Sequence, residues 1–117
     1  MQADALLKRR QSELDDMRGR IEYEIRTAFL DLQSAADQVK VAQSAQQLAQ
    51  ETLVQAQDRF RAGVTNNIEV VQAQQSIALT NESFISSTFI YNVAKLELAR
   101  SLGIAERAVT DFLGGKQ

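Results

Sequence analysis

Between Ala28 and Phe60 the chain reads AFLDLQSAADQVKVAQSAQQLAQETLVQAQDRF, a stretch with neither proline nor glycine. Apolar or small residues recur along it once per heptad. Extended in both directions, one row runs Leu14, Ile21, Ala28, Ala35, Ala42, Ala49, Ala56, Gly63. A second row, offset within the same heptads, runs Ile25, Leu32, Val39, Gln46, Leu53, Phe60. Alternating steps of about three and four residues, kept up over so many heptads, predict a coiled coil, because they hold one stripe toward a partner helix. The first row is nearly all alanine and the second nearly all large. An alanine row lets a partner come close, and the large row supplies the knobs. Gln46 interrupts the large row and is expected to set register.

At Gly63 the pattern stops, and it restarts from Asn67. The new large row is Val70, Ile77, Phe84, Tyr91, Leu98; its companion, Ala73, Thr80, Ser87, Ala94, Ser101, is small throughout. Large residues of one helix can therefore face small residues of the other in an antiparallel pair, with Leu53, Phe60, Val70, Ile77, Phe84 and Tyr91 expected to pack the hairpin. Ile85, Phe89, Val93 and Leu96 fall off this seam and call for cover by a further helix. Gly63 suits the left-handed position that ends a helix, and Thr65, Asn66 or Asn67 can cap the next one. Gly103, with Arg100 just before it, is expected to end the second helix. An amphipathic turn from Glu106 to Leu113 follows, and Gly114 and Gly115 release the chain.

The predicted fold is all-α: a single antiparallel coiled-coil hairpin over residues 1–117, with unequal helices and a short C-terminal helix. Helix one covers about 4–61, the tip turn 62–66, helix two about 67–102 and the short helix about 105–113. At the usual rise per residue the long helices would measure roughly 85 Å and roughly 55 Å, so the unpaired end of helix one implies another neighbour. Gly19, inside helix one, costs about 1 kcal/mol relative to alanine and is expected to mark a bend or a close crossing.

Composition narrows the chemistry. The 117 residues include no histidine and no cysteine, which removes thiol nucleophiles, the usual zinc ligands and a Ser-His-Asp triad. A net charge of −2 argues against nucleic acid as a partner. The basic run Lys8, Arg9, Arg10 reads as a solvated helix turn. No apolar stretch is long enough for a membrane helix, and no secretory leader opens the sequence, so an exported protein of this kind would include this chain as a piece. Asp15–Asp16, Glu22–Glu24 and Asp58–Glu69 are possible acid–base pairs, but polar helix faces offer no pocket to tune them. No metal spacing or phosphate loop occurs, so no enzyme, metal or cofactor is expected. Tyr23 and Tyr91 are expected to pack with a wet hydroxyl. Glutamines crowd toward the turn (Gln43, Gln46, Gln47, Gln50, Gln55, Gln57, Gln72, Gln74, Gln75) and suit either a neutral solvated surface or the wall of a water-filled passage.

The turn carries a resemblance. Phe60-Arg61-Ala62-Gly63-Val64-Thr65-Asn66-Asn67-Ile68-Glu69-Val70-Val71-Gln72-Ala73-Gln74 resembles the helix-turn-helix of the TolC-like outer-membrane efflux channel family: an aromatic, a small residue and Gly, a polar turn, then an acid-Val stretch and Ala-Gln. Ile25-Arg26-Thr27-Ala28-Phe29-Leu30-Asp31-Leu32 and the segment from Tyr91 to Gly103 resemble the flanking parts of the same repeat, and the match runs from about Ala3 to Leu113. The resemblance implies a homotrimer with a β-barrel in the outer membrane and an α-helical barrel through the periplasm. This chain would be a helical hairpin of the C-terminal repeat, soluble by itself; its uncovered apolar stripes predict that, isolated, it self-associates.

It also implies partners, a periplasmic adaptor (membrane fusion) protein and an inner-membrane pump, in efflux or type I secretion. By position Gly63, Val64, Thr65 and Asn66 match the adaptor-docking tip, and Glu69 and Gln72 the pore entrance. Gln72 stands where the best-known member has a second acid, Thr65 where it has a gate arginine, and Phe60 where it has a tyrosine. A cation-selective gate would rest on Glu69 alone. The alternatives are the coiled-coil hairpin of an adaptor, whose tip motif and equal helices are missing here, and a structural coiled-coil spacer.

Overall fold

The computed structural model describes residues 2–114, with side chains through residue 111. It is all-α: α1 runs Gln2–Arg61 and α2 runs Asn67–Gly114, joined by the turn at 62–66. Sixty and 48 residues of continuous helix follow from a chain without proline, whose glycines fall at the turn or are tolerated inside helices. Among the described residues there is no strand, and no helix is long and apolar enough to cross a membrane.

Contacts divide the chain into two compact units. One is residues 33–93, which contains the turn; the other is formed by the described residues up to 32 together with those from 94 onward. In the first, Ala35, Ala42, Ala49 and Ala56 of α1 and Val70 and Ala73 of α2 are buried. Leu53 packs against the cluster of Ala56, Val70 and Ala73. Val39, Ile77, Phe84 and Tyr91 are half-buried. In the second unit Ala28 and Ala94 are buried, with Ile21, Ile25, Leu32, Leu98 and Ser101 half-buried around them. Apart from Phe60 and Gly63 next to the turn, the two heptad rows of each helix are the rows that leave solvent.

Small residues bury completely and large ones only in part, and geometry explains it. Where two helices meet, the seam is narrow enough to enclose a methyl group, while a leucine or phenylalanine extends past it. No large side chain among those described is fully buried. Polar seam positions satisfy themselves locally: the Thr80 hydroxyl donates to the Ile77 carbonyl at 3.0 Å and Thr88 to Phe84 at 2.8 Å. The Gln46 side-chain amide donates to the Asn81 side-chain carbonyl oxygen on the opposite helix.

Three local expectations give way. Helix two does not stop at Gly103, and no separate helix spans 105–113; α2 continues through to Gly114. Gly103 has no positive φ, and the seam keeps its phase beyond it, with half-buried Ala105 and Ala108 continuing the rows of Leu98 and Ser101. Continuing the seam offsets the ~1 kcal/mol that an interior glycine costs. The release at Gly115 lies outside the described residues. Gly19 marks no close crossing, since a β-carbon added there would meet nothing within 4 Å. Tyr23 does not pack in the seam; it is 72% exposed, at the edge of an open groove that it lines together with Glu97 and Arg100.

Candidate functional site at the hairpin turn

The turn is built by glycine geometry. Gly63 has φ of 76°, the only positive φ among the described residues. Its N–H donates to the Phe60 carbonyl and the Val64 N–H to the Arg59 carbonyl, each at 3.0 Å, which closes the end of α1 in a Schellman motif. On the other side the Asn66 side-chain oxygen accepts from the Ile68 N–H at 3.2 Å, so Asn66 is the cap of α2. Two helices are thereby stopped and started within a few residues, and Val64 and Thr65 stand between them.

This leaves an apolar tip. Val64 is 67% and Ile68 61% exposed. Phe60 was expected to pack the hairpin and is instead 48% exposed. It belongs to the last turn of α1, whereas the seam on α2 begins only at Val70, so no opposing row reaches it. Leu53, Val70, Ile77, Phe84 and Tyr91 do take their seam places, Val70 buried and the others half-buried.

Just behind the tip, Arg59 of α1 and Glu69 of α2 form an ion pair across the hairpin, with Nη1 and Oε1 3.6 Å apart. The pair lies in an open groove lined by Thr52, Gln55, Gln72 and Ser76 and floored by Ala56 and Ala73. The expected entrance residues Glu69 and Gln72 are therefore brought together, and Gln55 joins them. Glu69 has its second oxygen, Oε2, buried without a hydrogen-bond partner. Of the possible Asp58–Glu69 pair, each carboxylate has an arginine beside it: Asp58 lies 3.9 Å from Arg61 on its own helix and Glu69 3.6 Å from Arg59. No group of three or more acidic, histidine or cysteine side chains among the described residues is arranged to hold a metal. Arg59 escaped the sequence reading although a signal was present. It and Glu69 are equidistant from Val64, and residues placed so face each other once the chain folds back.

A family model described as outer membrane efflux protein matches residues 2–104. The chain belongs to the outer membrane efflux protein family. This is a family of outer-membrane channel components and hence of transport proteins, whose members typically work with partners in tripartite efflux. No curated protein and no solved structure gives a match. The family range takes in both heptad segments, the turn and the groove, and ends within α2 just past Gly103.

The efflux-family hairpin keeps its remaining apolar residues outside. Ile85 is 68% and Phe89 67% exposed, both on the side of α2 away from the buried Val70–Ala73 edge. On α1, Val41 and Leu48 are exposed in the same way. The glutamine-rich surface toward the turn is solvated apart from Gln46 and Gln57, which are half-buried.

Proposed function

We propose that this chain forms part of the periplasmic α-helical barrel of a trimeric outer-membrane channel for efflux or type I secretion. Its turn docks to a periplasmic adaptor that links the channel to an inner-membrane pump. The observation that carries this reading is the family match over residues 2–104, nearly the whole described chain. The exposed apolar stripes of both helices support it, since a closed ring gives every hairpin a neighbour on each side and removes those stripes from water. In this arrangement Gly63, Val64, Thr65 and Asn66 form the docking tip and Glu69 and Gln72 face the entrance. Family membership favours the channel over an adaptor hairpin or a spacer.

The test uses the absence of cysteine from the chain. Thr65→Cys in the intact protein places a thiol at the tip, and this chain supplies no other. Photo-crosslinking from it in cells should capture a periplasmic adaptor, and the captured channel should fractionate with the outer membrane. Fractionation with the inner membrane, or crosslinks to no envelope protein, would overturn the reading.

A further inference from the structure

We propose that Arg59 determines the ion preference of the channel entrance by pairing with Glu69 inside the same hairpin and cancelling its charge. This rests on the proposed function above, which sets the groove behind the tip at the entrance. The resemblance makes Glu69 a lone acid at the entrance and implies a cation-selective constriction. The folded hairpin puts a guanidinium nitrogen 3.6 Å from one of its oxygens. With Arg59 counted, the groove holds one positive and one negative group, and its other polar lining residues, Thr52, Gln55, Gln72 and Ser76, are neutral.

Other donors do not take Arg59's place. The Thr52 hydroxyl donates back to the Leu48 carbonyl at 2.8 Å and is not directed at the carboxylate. Oε2 of Glu69 is buried without a hydrogen-bond partner, and Arg59 is the cation that faces the carboxylate from across the groove. Gln72, neutral where the resemblance has an acid, adds no second negative charge. Both members of the pair remain partly exposed, so the field each would exert alone reaches the water in the groove.

The intact channel in planar bilayers, with the potassium-over-chloride permeability ratio read from reversal potentials, tests this directly. Arg59→Gln should raise the ratio by about fivefold, since one uncompensated unit charge about 8 Å from the permeating ion in water favours potassium and disfavours chloride by a little over twofold each. Glu69→Gln should lower it, and the double variant should return it to the unsubstituted value. Arg59→Lys keeps the charge and should leave it unchanged, which guards against a folding defect in the glutamine variant. If Glu69→Gln lowers the ratio and Arg59→Gln does nothing, the pairing is overturned while the entrance reading stands. If the channel conducts and neither variant moves the ratio, the placement of Glu69 at the entrance fails, and the inference with it. If the unsubstituted protein forms no channel, the proposed function itself fails.

Discussion

Gly63 and the interior glycines carry opposite meanings for the same substitution. Space is open around Gly19, Gly63 and Gly103 alike, but only Gly63 holds a left-handed backbone. Gly63→Ala should destabilise the chain by about 1–2 kcal/mol through backbone strain alone. Gly19→Ala and Gly103→Ala should each stabilise it by about 0.5–1 kcal/mol by lowering the entropy of the unfolded chain. Denaturant titration of the three variants checks the signs, and a destabilising Gly103→Ala would show that α2 breaks there after all. Asn66→Ala, which removes the cap oxygen from the Ile68 N–H, should cost about 1 kcal/mol, with Asn66→Asp or Asn66→Ser largely restoring it. The glycine turn could be read from sequence because only glycine takes that φ cheaply. Which of Thr65, Asn66 and Asn67 caps could not, since all three types can do it and the choice depends on the path of the chain out of the Schellman motif.

Helix pairing rests on the contrast between small and large rows. Ala42 and Ala49 are among the buried residues, so a longer side chain there must enter the contact between the helices. Ala42→Leu or Ala49→Leu should therefore destabilise the pair by about 1–3 kcal/mol by forcing the helices apart. The same change at Ala45, exposed on the outer face of α1, should be nearly neutral. Thermal unfolding followed by circular dichroism distinguishes the two, and equal effects would mean that the alanine row is not the contact. Replacing Gln46 by Leu removes the amide that donates to Asn81, leaves a half-buried polar group unpaired and relaxes register. The compensating Asn81→Leu in the same chain should recover stability but not a single register, which paired thiols introduced across the seam would detect as mixed crosslinks. The rows themselves were legible in sequence because heptad spacing is a property of one helix. The partner of Gln46 was not, because it belongs to the other.

At the scale of the whole molecule, the apolar residues outside the seam point to association. Ile85 and Phe89 are about two-thirds exposed. Sedimentation equilibrium of the chain should show self-association, and Ile85→Glu with Phe89→Glu should shift it to monomer while helix content stays the same. A monomer before substitution would remove the main physical support for neighbours in a ring. The sequence by itself determined the all-α class, the two heptad rows on each helix, the position of the turn and the likeness to efflux channels, because each of these depends on local spacing or on residues close together in the chain. Tertiary structure decided the rest. Whether α2 passes Gly103 depended on whether the seam continued, since packing beyond it outweighs the small cost of a glycine. Phe60 looked like a seam residue by spacing and proved half-exposed because the residue of α2 facing it, Ile68, is itself exposed and the seam on α2 begins only at Val70. Glu69 looked like a lone acid until folding brought Arg59 to it from the other helix. Charge compensation is a matter of distance in space, and heptad arithmetic along one helix carries no information about what stands across from it.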